Sequence, residues 1–240
     1  MAKEKPSGAR TLTEDLHHRI RADILAGRLV PGRRLRLTEL QQQYGASLGV
    51  VREALIRLAG QGFVDAQPQV GFSVTALSRD DLSDLTEARV AIETLVLDQS
   101  ITHGDTRWEA DLVAAHHLLD RTPERDATDP GMVSEQWATT HLAFHRALLD
   151  GCPNRRLRET AAALRLAAEL YRTWSQTTAT GQTRDIRGEH AGLLAAALDR
   201  DHARGRRLLA AHIRCTTEIL LGLGLAGDPG TGSGAPVGGQ

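Results

Sequence analysis

His141 and His145 stand four residues apart in HLAFHRALL, a spacing that puts both imidazoles on one face of a helix. His190 follows in GEHAGLLAAAL and His212 in LLAAHIRCT. The apolar neighbours Phe144, Leu148, Leu193, Leu194, Leu208 and Leu209 turn these positions toward the inside of a helical assembly. Four inward imidazoles on three helices need a common reason. A divalent transition metal supplies one, because neutral imidazole suits Zn, Ni, Cu and Fe. A single His pair at this spacing is also a common surface feature, so it is the two further His on apolar faces that turn the reading toward a metal. His116 and His117 are adjacent and point apart, and they read as packing or surface residues. So do His17, His18, His103 and His202.

The elements that must position these residues are bounded by length and composition. A chain of 240 residues has room for one large domain or two modest ones. Its 29 Lys+Arg nearly balance its 30 Asp+Glu, but residues 1–77 hold 11 cations against 7 acids and the remainder 18 against 23. A mildly basic segment therefore precedes a mildly acidic one. Cys152 and Cys215 alone cannot build a disulfide scaffold and fit a reducing compartment. No apolar run reaches 18 residues, and Met1–Arg10 lacks the apolar core of a secretory signal, so a cytoplasmic protein with no membrane partner is expected. Aromatic residues make up 3 %, and the apolar set is dominated by Leu and Ala, which favours helices.

Apolar residues at Leu12, Leu16, Ile20, Ile24 and Leu25 predict a first helix, closed by Gly27 and the Pro31-Gly32 turn. Thr38 is expected to cap a second helix, Glu39–Tyr44, and Ser47 a third, Leu48–Gln61. The runs 63–66 and 72–75 around Pro68-Gln69-Val70-Gly71 read as a β-hairpin. Three helices and a hairpin make a winged helix-turn-helix over 11–77, whose third helix fits a DNA major groove. Beyond a hinge at 76–79, six helices are expected over 80–223: 80–101, 105–121, 132–150, 154–176, 186–200 and 201–223. The fold class is thus mainly α, a winged helix-turn-helix followed by an antiparallel bundle. Residues 1–10 and the Gly/Pro/Ser-rich 226–240 read as disordered ends.

The segment LGVVREALIRLAGQGFVDAQPQVGFSV resembles the GntR-type winged-helix regulators. LTEARVAIETLVL, HLAFHRALLDGC, GEHAGLLAAAL and LLAAHIR resemble the helical effector domain of the FadR-like branch, the FCD family, in the family's order. VVREALIRL and PQVGFSV look most like its carbon-starvation-induced regulator subgroup. The resemblance implies a homodimeric transcriptional regulator on double-stranded operator DNA, whose bundle binds a small carboxylic-acid effector and usually a metal. The family's metal motif falls on His141, His145, His190 and His212, with His141 where the family carries Asp. Loss of that carboxylate leans the site toward Zn, with Ni or Cu as alternatives, or toward a metal-free site in which His141 meets the effector itself.

Arg89 matches the family's Glu-x-Arg element and is expected to clamp a carboxylate from the pocket; the alternative is an Arg89–Glu93 pair on a solvated face. Tyr171 is a weaker effector candidate. Thr38, Ser47, Leu48, Gly49, Arg52 and Gly71 fall at the family's DNA-contacting positions, and Arg33, Arg34 and Arg36 are candidate phosphate contacts. Glu53 and Arg57 read as a helix-surface ion pair. Two other functions remain open at this point: a metal-responsive regulator with no organic effector, and a metal-dependent hydrolase. Glu189 is the sole candidate base for the latter, and its position before His190 turns it elsewhere.

Overall fold

The computed structural model describes residues 11–76, 78–128, 133–178 and 184–222. The two ends expected to be disordered, and Leu77 of the expected hinge, lie outside the described residues. Thr11 accepts a hydrogen bond from the Glu14 N–H and opens α1, Leu12–Leu25. Its stripe of Leu16, Ile20 and Ile24 is buried, as the spacing requires. Gly45, at φ 66°, ends α2 (Leu37–Tyr44) in the left-handed region that only glycine adopts without strain. Ser47 then accepts from the Val50 N–H and caps α3, Leu48–Ala59.

A strand absent from the sequence expectation lies between α1 and α2. β1, Arg34–Leu35, pairs antiparallel with β3, Gly71–Val74, which also pairs with β2, Val64–Gln67. A two-residue strand is too short to show alternation. It also moves the start of α2. The chain leaves the sheet at Arg36, which holds the N-cap position without a side-chain bond. Thr38 is therefore not a cap but an exposed residue in the first turn.

Apart from connecting segments and one isolated β-bridge, the described elements of the second part of the chain are helices. α4 (Arg79–His103), capped by Ser78, packs on α9 (His202–Gly222) and α7 (Arg155–Thr178), while α5 (Thr106–Arg121) packs on α6 (Glu135–Leu149) and α8 (Ile186–Leu198). The sixth helix starts at Glu135 instead of 132, because Ser134 caps it and Val133 bridges back to Arg125. No helix among the described residues is long and apolar enough to cross a membrane.

There are two main apolar cores. One gathers Leu97, Ile101, Leu112, Phe144, Leu148, Leu193 and Leu209 of the bundle. The other gathers Ile20, Leu40, Leu55, Leu58, Phe63 and Val74 of the winged unit, but it also includes Leu170 of α7. Leu166 packs against the same core, and the Ala167 methyl reaches Gly62. The two parts are thus joined by packing as well as by the segment at 76–79. Leu170 is 1 % exposed, so Leu170→Ala is expected to cost about 2–5 kcal/mol in chemical denaturation. A loss below about 1 kcal/mol would mean that α7 merely leans on the winged unit.

Candidate metal centre and recognition helix

The bundle brings the four histidines together. α6 carries His141 and His145, α8 His190 and α9 His212, all buried. One nitrogen from each can be chosen so that all four lie within 4.8 Å of one another. His141 Nε2 and His145 Nε2 are 3.2 Å apart, close to the edge of about 3.3 Å that a tetrahedral zinc site with Zn–N bonds near 2.05 Å would show. The ring walls fix this geometry. Trp137 stacks on His141 at 4.6 Å and 18°, and Phe144 stands edge-on to His145 and His190 at 5.3 and 5.1 Å.

Protonation suits ligation. Burial pushes the His145 imidazole well below its ordinary range, assisted by His141 and by the Arg165 charge. Burial likewise holds His190 at about 3. It lowers His212 in spite of the opposing hydrogen bond from that ring to Glu189. All three therefore keep a lone pair at neutral pH. Nε2 of His190 is buried with no hydrogen-bond partner, as a ligand nitrogen would be. His212 Nδ1 donates to Glu189 Oε2 at 2.7 Å, which leaves its Nε2 as the lone-pair nitrogen.

Glu189 does not face elsewhere, as its position before His190 suggested. It lies between His212 and Arg184, whose Nε and Nη2 donate to its two oxygens at 2.7 and 2.6 Å. Burial works against its ionisation, but these hydrogen bonds and the Arg184 charge outweigh it and hold the carboxyl at about 2. A carboxylate this firmly engaged orients His212 and is a poor proton acceptor.

The bundle also holds an ionic triad of buried Glu93 and Arg165 with partly buried Arg89. Arg89 Nε donates to Glu93 Oε1 at 2.7 Å, and Arg165 Nη2 donates to Glu93 Oε2. The Arg89–Glu93 pair exists, but not on a solvated face, because Glu93 is 0 % exposed. Burial opposes the charge on Glu93, yet the two guanidiniums keep its pKa below the usual carboxylate value. Arg165 is buried, and its Nε and Nη1 have no hydrogen-bond partner. The Arg165 charge is felt at His145 and that of Arg89 at His212. Tyr171 is placed differently from the expectation. Its hydroxyl donates to Asp81 at 2.5 Å and accepts from the Ser78 N–H, and its ring packs on Leu82. It braces the start of α4.

The sequence reading missed Glu93, Arg165, Arg184 and Glu189 as parts of the site. Arg165 left a signal: it lies on the same helical stripe as Ala161 and Ala168, both buried, where a cation needs a reason. Among the DNA candidates, Ser47, Leu48, Gly49 and Arg52 share the exposed side of α3, while Val51, Ala54, Leu55 and Leu58 are buried. Gly71, at φ 110°, opens β3 at the wing. Arg34 donates to the Val70 carbonyl, Arg33 to that of Arg28, and Arg36 pairs with Glu39 at 3.0 Å. Arg57 and Glu53 form the expected pair at 3.0 Å.

The model of bacterial regulatory proteins of the gntR family matches residues 12–74, and that of the FCD domain matches residues 84–214. The chain belongs to the GntR family and carries an FCD domain. It is 37 % identical over 219 residues to the uncharacterized HTH-type transcriptional regulator BphR of Paraburkholderia xenovorans, covering 91 % of this chain and 89 % of that protein. It is 32 % identical over 204 residues to the HTH-type transcriptional repressor GlaR of Escherichia coli, covering 84 % and 92 %. The fold is shared with E. coli McbR/YncC at a TM-score of 0.70 and 22 % identity, over 89 % of this chain and 99 % of that one. This GntR-family chain is thus a transcriptional regulator of the winged-helix and FCD type.

Glu189 acts through His212, so its effect is testable as positioning. Glu189→Gln is expected to lower zinc affinity about 10- to 100-fold in competition with a chromophoric chelator, with folding unchanged by circular dichroism. Unaltered affinity would show that the carboxylate does not orient the ligand.

Proposed function

We propose that this GntR-family regulator is a homodimeric, ligand-responsive repressor whose FCD bundle holds a divalent transition metal, zinc by preference, and a small carboxylic acid. The observation that carries the reading is the meeting of four buried imidazoles with an under-partnered buried guanidinium. His141, His145, His190 and His212 would hold the metal, and an all-imidazole set favours Zn, Ni or Cu over Mn or Mg. When bound, the ion offers a Lewis-acidic anchor for a carboxylate oxygen. Arg165 and Arg89 would supply charge-assisted donors. A metal-responsive regulator without an organic effector would leave Nε and Nη1 of Arg165 unanswered. A hydrolase would need a base, and Glu189 is already committed to Arg184 and His212.

At the other end, α3 would enter the major groove with Ser47, Leu48, Gly49 and Arg52 forward. Arg33, Arg34, Arg36 and Thr38 would approach phosphates, and Gly71 would shape the wing. A repressor role agrees with the name of GlaR. Two readers on one operator would offset modest contacts from each. Acid binding would alter operator affinity by favouring one placement of the readers over another.

Fluorescence anisotropy with DNA from the promoter region of the chain's own gene tests this. Specific binding that changes with metal and candidate acids is expected, and equal binding to random DNA at physiological salt would overturn it. Arg52→Ala should weaken operator binding by about 1–3 kcal/mol if it reads a base. An equal loss on random DNA would assign Arg52 to phosphate.

A further inference from the structure

The four imidazoles are almost shut off from solvent. His141, His145, His190 and His212 are between 3 and 8 % exposed, and a hydrated dication does not pass through close-packed side chains. A metal centre needs an entry path. The groove between α4 and α9 is lined by Val90, Thr94, Arg206, Ala211 and Cys215, among others, and by none of the four imidazoles. A cavity of about 200 Å³ does reach them. It ends on His190, one of the four, and on Trp137, which stacks on His141. One water needs about 10–15 Å³ of such space, so a hydrated ion has room to move.

The wall of this cavity changes in kind from its mouth inward. Asp120 and Pro123 are exposed, Glu124 and His116 are half-buried, and His190 is buried. Arg187 is exposed on the same wall and pairs with Asp120, its Nε 3.5 Å from Oδ1. Two carboxylates against one guanidinium leave the lining net negative. Arg184 feels the Glu124 charge, but its own is met by Glu189. Deeper in, His116 and His190 flank one ring, each edge-on to Phe144 at 5.5 and 5.1 Å. His190 Nε2 is buried without a hydrogen-bond partner. Transition dications prefer imidazole to carboxylate, so the order Glu124, His116, His190 favours inward movement.

We infer that this cavity is the loading route of the imidazole centre: a divalent transition metal enters past Glu124, is held in passing by His116, and reaches the cluster through His190. This inference rests on the metal reading above and is independent of any organic effector. His116, which the sequence places among packing or surface residues, thereby gains a task. Groups on a route alter the barrier and not its end states, so they change uptake and release by the same factor and leave affinity alone.

The test uses the full-length chain stripped of metal and mixed rapidly with zinc. A fluorescent zinc indicator follows uptake, excess chelator follows release, and equilibrium competition gives the affinity. His116→Ala is expected to slow uptake and release together by roughly tenfold, the lower end of what a steering site adds to an on-rate. Ile186→Trp, which narrows the cavity, is expected to slow both in the same way. Glu124→Gln is expected to slow uptake at low ionic strength, with the difference closing near 1 M salt, where the screening length is about 3 Å. Where Ile186→Trp fails to fold by circular dichroism, the other two variants decide.

Rates unchanged in His116→Ala and Glu124→Gln would overturn the route and leave the metal site standing. Absence of zinc binding by the parent chain would overturn the metal reading and this inference with it. Faster release with unchanged uptake in His116→Ala, so that affinity falls, would make His116 part of the final site and overturn its transit role. A loss in Glu124→Gln that is equal at all salt concentrations would overturn steering by that carboxylate.

Discussion

A polar group withdrawn from water into a helical bundle must be answered by another group, and this constraint organises the FCD half of the molecule. Four imidazoles, Glu93 and Arg165 are buried among Leu, Ala and Phe side chains, and partly buried Arg89 completes an Arg89–Glu93–Arg165 triad. Each is costly unless paired. Glu93 serves two guanidiniums because a lone buried carboxylate would not stay charged. Trp137 and Phe144 close the sides of the imidazole cluster. Arg184 holds Glu189, and Glu189 holds His212. Among the described residues, the buried polar atoms without a hydrogen-bond partner include Nε and Nη1 of Arg165 and Nε2 of His190.

The same helix that presents Arg165 also enters the winged unit. Within α7, Arg165 joins Glu93 and its charge acts on His145, Leu166 and Leu170 pack in the core under α1 and α3, and Tyr171 bonds to the start of α4. These residues span under two turns, about 9 Å of helix rise. Glu169, between them, is buried and its charge is felt by Arg21 of α1. The distance between ligand chemistry and DNA-reading core is therefore crossed by one short, rigid piece of backbone.

Much of this architecture is written in local patterns. The stripe of Leu16, Ile20 and Ile24, the Ser47 cap and the Gly45 stop lie within a few residues of the features they specify, and periodicity exposes them. The four histidines were legible because each sits on an apolar face of its own helix. The triad was not, since Glu93 and Arg165 lie 72 residues apart and meet only after α4 and α7 pack. Arg89 and Glu93 look the same in sequence whether their face is wet or dry. Adjacency to His190 suggests that Glu189 turns away from the site, whereas α9 brings His212 to it. Thr38 was misplaced as a cap because β1 is two residues long and carries no pattern of its own.

The coupling that the proposed function requires is small on the scale of these contacts. Allosteric effects of 5- to 150-fold correspond to about 1–3 kcal/mol. A hydrogen bond is worth about 0.5–1.5 kcal/mol net, and Tyr171 makes two at the junction, to Asp81 and from Ser78. Burial of Leu170 in the winged core exceeds either. A slight advance or rotation of α7 as Arg165 closes on an anion would load these few contacts unequally in the two states. No large rearrangement is needed: the bundle has only to prefer one seating of α7, because the reader is already seated on the same helix.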